Sequence, residues 1–226
     1  MMIRQTAALA MAFIQSAGVN AETALAPVAR SGVCVTNGAV AASPGGVMRI
    51  DSPSSRAVVP ASDGRVAELR FRFLGPTVGT KPLASGELRR QIGLKLKAQD
   101  TCNLVYAMWH IEPDQKVAVS VKRNPGMSTN AACDAHGYVN LRPAAAVEPA
   151  PIRQGEWHVL RAELSGASLT VTADGKVAWR GVLPSLADEF DGPAGLRTDN
   201  ARFDFAFSAR AGRQAAAVPC RTGAGD

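Results

Sequence analysis

The chain has 226 residues, a net charge of +6 and four cysteines, with 46% hydrophobic and 19% charged side chains. No segment reaches the roughly 20 apolar residues that a membrane-spanning helix needs, which excludes a helical anchor. Nucleic acid is a poor partner for such a sequence, because no basic cluster is denser than Arg89-Arg90.

Residues 1–21 read as a secretory signal peptide. Arg4 supplies the positive start, Ala7 to Ile14 the short apolar run, and Val19-Asn20-Ala21 the small residues that place cleavage before Glu22. Removing that segment takes away one basic residue and no acid, leaving 205 residues with a net charge of +5. This is length enough for one domain with a proper core. A moderate positive charge favours anionic glycans, cell-envelope polymers or phospholipid headgroups.

Residues 22–46, rich in Ala, Ser, Gly and Pro, are expected to be mostly irregular, and 47–220 to form the folded domain, with 221–226 as a tail. Strands begin with Val66–Phe73, where Leu69, Phe71 and Phe73 share one face and Glu68, Arg70 and Arg72 the other. Gln91–Lys97 repeats the pattern, with Ile92, Leu94 and Leu96 opposite Lys95 and Lys97. A period of two with basic residues on the alternate face marks a half-buried strand. Asn103–Ile111 is apolar on both faces, as in a central strand covered on two sides. Lys116–Lys122 alternates again, turning Val117, Val119 and Val121 inward, and Asn124-Pro125-Gly126 stops it.

Met127 to Pro151 reads as a long loop with a short strand at Tyr138–Leu141. Beyond it come strands at 157–164, 168–173 and 176–180, one helical turn at 186–190, and a closing strand at 201–209 that buries Phe203, Phe205 and Phe207. Asp174-Gly175 suits a type I′ hairpin turn, whose two central residues need positive φ. About nine short strands with turns every 8–12 residues predict an all-β sandwich. Four cysteines in an exported chain imply two disulfides. Cys102–Cys133 would close the central loop, and Cys34–Cys220 would tie the two ends, which in a closed sandwich often lie side by side.

Gly155-Glu-Trp-His-Val-Leu-Arg161, the Asp174-Gly175 hairpin, Gly192-Pro-Ala-Gly-Leu-Arg197 and Phe203-Asp-Phe205 follow one another in an order that resembles the laminin-G-like, concanavalin A-like jelly roll. The resemblance covers about 155–209 well and the region from 60 loosely. It implies two stacked antiparallel sheets, one concave, with Trp157 packing and His158 on the surface. Members of that superfamily bind or cleave polysaccharides on the concave face, or bind partners at the loop rims. Glu87 to Pro143 is similar to a group of exported bacterial proteins, a likeness that carries no activity with it.

If the strands from 66 to 122 share a sheet, its open face carries Arg70, Arg72, Lys95, Lys97 and Lys122. Trp109 or His110 would lie among them, and Arg89, Arg90 and Arg123 at the ends. Cations beside an aromatic ring suit an acidic sugar polymer; the plain alternative is a solvated face whose lysines deter aggregation. A glycosidase needs two carboxyl groups about 5 to 9.5 Å apart, and Pro113 turns the chain between the best-spaced pair, Glu112 and Asp114. Glu87-Leu-Arg-Arg-Gln-Ile92 is similar to the arginine strand of jelly-roll alginate lyases. Ser85 replaces its leading arginine, however, and the family's Gln-Ile-His and Tyr-x-Lys runs are missing. A lyase site would have to be assembled from Gln91, Arg90, His110 and Tyr138. Asp191, Asp199 and Asn200 offer calcium weak support, since Asp-Asn before a strand is first a turn signal. No other cofactor is expected. The sequence thus points to an exported, periplasmic or secreted, non-catalytic module for an anionic glycan or envelope polymer. A lyase-like enzyme and a structural or protein-binding module are the alternatives.

Overall fold

The computed structural model describes residues 24–212 and Cys220. The expected signal segment and the tail lie outside the described residues. In chain order the strands are β1 (Leu25–Val28), β2 (Cys34–Asn37), β3 (Ala41–Ala42), β4 (Met48–Ile50), β5 (Ser54–Val59) and β6 (Ser62–Pro76). Next come β7 (Arg90–Leu96), β8 (Leu104–Glu112), β9 (Lys116–Lys122), the short helix α1 (Asn130–Cys133), β10 (Tyr138–Leu141) and β11 (Ala145–Ala146). The last are β12 (Trp157–Ser165), β13 (Ser168–Ala173), β14 (Lys176–Val182), β15 (Ala194–Asp199) and β16 (Ala201–Ala211). They form the expected two-sheet antiparallel jelly-roll sandwich. The back sheet runs β11-β14-β13-β12-β6-β16-β4-β3, with β1 also paired to β16, and the front sheet runs β10-β9-β8-β7-β15-β5-β2. Among the described residues no helix is long and apolar enough to cross a membrane.

Alternation builds the core as the sequence predicts. Leu69 and Phe71 of β6 and Phe203, Phe205 and Phe207 of β16 point in from the back sheet. Ile92, Leu94 and Leu96 of β7 and Val119 and Val121 of β9 meet them from the front. Trp109 of β8 is the principal tie between the layers. Its ring meets Phe71 edge-on at 5.6 Å, and Phe71 meets Phe203 edge-on at 5.9 Å. Edge-to-face contacts suit the ring quadrupoles and add to the burial of large apolar surfaces. Asp174 and Gly175, at φ 49° and 76°, make the predicted turn. Both disulfides join the expected partners, Cys34 with Cys220 and Cys102 with Cys133.

Three expectations need correction. The segment from 22 to 46 is not mostly irregular: β1 pairs with β16 and β2 with β5, so its small residues edge both sheets. The strand around 66–73 does not share a sheet with the three that follow it. β6 pairs with β12 and β16 in the back sheet, whereas β7, β8 and β9 are neighbours in the front sheet. A period of two fixes which way a side chain points and says nothing about which strand lies alongside. Finally, the Trp157-His158 pair is reversed. His158, Leu160, Ala162 and Leu164 face inward, because they occupy every second position of β12. The His158 ring packs 5.5 Å from Trp109 and 5.9 Å from Phe71, and its Nδ1 hydrogen-bonds Asp174 Oδ2 at 2.8 Å. Trp157 faces outward.

Truncating the ring that joins the layers should be costly. Trp109→Ala is expected to destabilise the fold by about 3–5 kcal/mol, read as a lower urea midpoint at an unchanged slope.

Candidate functional site

Alternation places a second set of side chains on the outer face of the front sheet. β7 contributes Gln91 and Lys95, and β8 contributes Tyr106, Met108 and His110. β9 adds Ser120 and Lys122, β10 adds Tyr138 and Asn140, β15 adds Arg197 and Asp199, and β5 adds Arg56. These residues line a groove of about 490 Å³, because chain rises above the sheet at both strand ends. One wall, 81–89, is pinned by Asn200, whose Oδ1 accepts the Lys81 N–H at 2.7 Å. Its Nδ2 donates to Lys81 O at 2.9 Å and to Arg89 O at 3.1 Å. The other wall, 130–138, is held by the Cys102–Cys133 bond and by Asn124, whose Nδ2 donates to His136 O at 3.0 Å. In the floor, a Cβ on Gly93 would lie 2.4 Å from Ala107 O and 2.5 Å from Met108 Sδ, so only glycine leaves room for the methionine to cover it.

Asp199 organises the charges. It is 2% exposed, and it accepts from Arg56 Nη2 at 2.7 Å, Arg197 Nε at 2.8 Å and Gln91 Nε2 at 2.5 Å. Burial alone would raise its carboxyl, but Arg56, Arg197 and the Gln91 hydrogen bond together hold it below the ordinary carboxylate range. Arg197 then reaches upward. Its Nη1 donates to the Tyr138 hydroxyl at 3.2 Å, and its guanidinium lies 5.1 Å from the Tyr106 ring. Tyr106 and Tyr138 stack at 6.0 Å with their planes 18° apart, and the Lys122 ammonium stands 5.2 Å from the Tyr138 ring. Burial pushes the Tyr106 phenol well above its usual value, with Tyr138 adding to the shift. At the other end, burial and then the neighbouring Arg89 drive the His110 imidazole down to about 3. A neutral ring can accept from Arg89 Nη1, which lies 3.3 Å from Nε2.

Of the side chains singled out from sequence, the groove gathers Lys95, Lys122, His110, Gln91, Tyr138 and Arg89. Trp109 belongs to the core instead, since its neighbours in β8 alternate faces. Arg90 pairs with Glu112 at the strand ends, and Arg89 takes the place in the groove. Lys97 leaves the strand at φ 48° and donates to Ala187 O at 2.6 Å, bracing a loop beside Phe190. Arg70 and Arg72 lie on the far side of the molecule, outside the back sheet, as the altered strand pairing requires. Asp199 and Asn200, considered for calcium, have their side-chain oxygens engaged by protein donors. Sequence reasoning missed Arg56, Tyr106 and Arg197. The alternation of Tyr106, Met108 and His110 against Val105, Ala107 and Trp109 was the available signal for the tyrosine.

No family model matches the chain, and no curated protein matches it. Solved structures do. A carbohydrate-binding module from Bacillus subtilis is 16% identical, with a TM-score of 0.54 over 77% of this chain and 91% of the module. A putative glycosyl hydrolase from Parabacteroides distasonis is 10% identical, with a TM-score of 0.48 over 81% of this chain and 90% of that one. The carbohydrate recognition domain of Emp46p is 11% identical, with a TM-score of 0.45 over 81% and 90% of the two chains. At this identity the first likeness shows a shared sandwich fold.

Two outcomes test the electrostatics. Asp199→Ala strands two buried guanidiniums and should cost about 3–5 kcal/mol of stability in denaturant titrations at neutral pH. His110 is depressed in the folded state, so its contribution is complete above the unfolded value of about 6.5 and is lost as pH falls toward 3. Stability should therefore fall by about 1 kcal/mol per pH unit below 6.5, and His110→Gln should remove that component of the slope.

Proposed function

We propose that this protein is an exported, non-catalytic module that binds an acidic glycan in the groove of its front sheet. The observation that carries the reading is the stacked pair Tyr106–Tyr138 set among Lys95, Lys122 and Arg197. Tyr138 is 39% exposed and presents an aromatic surface on which the C–H face of a sugar ring can rest. Around it, Arg56, Lys81, Arg89, Lys95, Lys122 and Arg197 line the groove against only Asp134 and Asp199. Asp199 is already shared between two arginines, so the groove keeps a surplus of positive charge. Carboxylate or sulfate groups on a sugar chain would meet it. The two disulfides suit an oxidising compartment outside the cytoplasm.

Spacing supports binding over elimination chemistry. His110 and Tyr106 stand four residues apart on β8, about 13 Å along the strand, and Tyr138 stacks on Tyr106. That separation suits contacts with successive sugars better than an acid and a base acting on one linkage. The reading requires no cofactor.

Retention on alginate, pectate and glycosaminoglycan matrices should weaken steeply as salt rises. Lys95→Ala combined with Lys122→Ala should lower affinity about tenfold or more, by removing two positive charges from the lining of the groove. Tyr138→Ala should weaken binding at every salt concentration. Equal retention on neutral glucans, or a double variant that binds like the parent, would overturn the acidic-glycan reading. Ultraviolet-absorbing unsaturated uronates appearing in the mixture would replace it with a lyase.

A further inference from the structure

The back sheet presents its own charged face, pointing away from the groove. Register aligns Arg49, Asp204, Arg72 and Trp157 across β4, β16, β6 and β12. Neighbouring strands lie about 4.8 Å apart, so the row spans roughly 14 Å. Asp204 is buried at its centre, 2% exposed, and accepts from Arg49 at 2.7 and 3.1 Å and from Arg72 at 2.6 Å. One carboxylate thus holds two guanidiniums in place and neutralises only one of them. The side chains of Arg49 and Arg72 remain 50% and 36% exposed. Arg70, one row over, stacks its guanidinium carbon 4.0 Å from the Trp157 ring, and Arg72 lies 5.1 Å from the same ring. The Arg72 Nε is buried without a hydrogen-bond partner.

A guanidinium fixed by a carboxylate or laid on an indole has lost much of its freedom and part of its hydration. Its remaining donors form a planar fork matched to carboxylate or sulfate. Three such groups beside a half-buried tryptophan make a shallow, straight platform, long enough for an extended polyanion and lacking the walls that would select a small molecule. We infer that this platform is a second site for the acidic glycan, so that one molecule bridges two polymer chains through opposite faces. The inference rests on the groove reading for the identity of the polymer. Charge complementarity and the length of the row carry it for this face. A single chain cannot easily occupy both sites, because the sandwich stands between them.

The test is a two-chain capture. Beads coated with alginate, pectate or heparin are loaded with protein, washed, and offered the same polymer in soluble fluorescent form. The parent protein should capture the labelled chain, and a large excess of free protein added together with that chain should suppress capture by saturating its sites. Arg70→Ala with Trp157→Ala should bind the beads within about twofold of the parent and lose at least tenfold of the capture. Tyr138→Ala should keep the share of bead binding that the platform supplies and lose at least tenfold of the capture.

If the Arg70, Trp157 variant captures as well as the parent at the same sedimentation coefficient, the second site is overturned and the groove reading stands. If Tyr138→Ala binds the beads normally while the Arg70, Trp157 variant does not, the groove reading fails and the platform is the glycan site. A parent protein that binds none of the three polymers sinks both. Co-sedimentation with anionic phospholipid vesicles that is lost in the Arg70, Trp157 variant, without polymer capture, would assign the platform to a lipid surface and overturn the bridge.

Discussion

Asp199 sits where the front sheet's polar face closes on itself, and three strands meet through its two oxygens. Arg56 comes from β5, Gln91 from β7 and Arg197 from β15. Burying a carboxylate is expensive, and burying two guanidiniums beside it is tolerable only when the three groups satisfy one another. The same carboxylate leaves one positive charge over, and it aims Arg197 at the Tyr138 hydroxyl on the edge strand β10. The cluster thus connects the cationic floor to the tyrosine pair, while the ladder with β9 places β10 itself. Behind the sheet, the apolar residues of the same strands make the core, so the cluster is fastened to the most rigid part of the molecule.

The two outer faces differ because the chain treats the sheet ends differently. On the front, Asn200 and the Cys102–Cys133 bond fix segments that rise above the strands and turn a sheet face into a groove. Lys95 and Lys122, which line that groove, are each 2% exposed. On the back, the arginine row around Trp157 stays in the plane of the sheet. The same fold thus provides one walled face and one flat face.

Local pattern made the elements legible. Ile92, Leu94 and Leu96, or Phe203, Phe205 and Phe207, announce a strand and its inner face without any knowledge of neighbours. What pattern cannot report is adjacency, and the split of Arg70 and Arg72 from Lys95 and Lys122 follows from that alone. Lys95 is buried for a related reason: an outer face is wet only if nothing stands over it, and the segments that line the groove are distant in sequence. Lys97 departed because the strand ends one residue earlier, at Leu96, and the backbone turns to positive φ. At Trp157, counting back by twos from Leu164 and Leu160 lands on His158, so strand parity puts the histidine inside where the jelly-roll resemblance implies the tryptophan. Arg56 and Arg197 were invisible individually, since each draws its meaning from Asp199, which itself read as part of a turn.

The Cys34–Cys220 bond spans 186 positions and encloses nearly the whole sandwich in one covalent ring. Tension applied along the backbone from outside that ring cannot reach the sheets in sequence. From the amino-terminal side it can peel β1 from β16, and then it meets Cys34, where the load passes directly through sulfur to Cys220. The strands between the two cysteines are mechanically shunted. Pulled between its two flanks, the chain would give up β1 and keep the strands between the two cysteines intact.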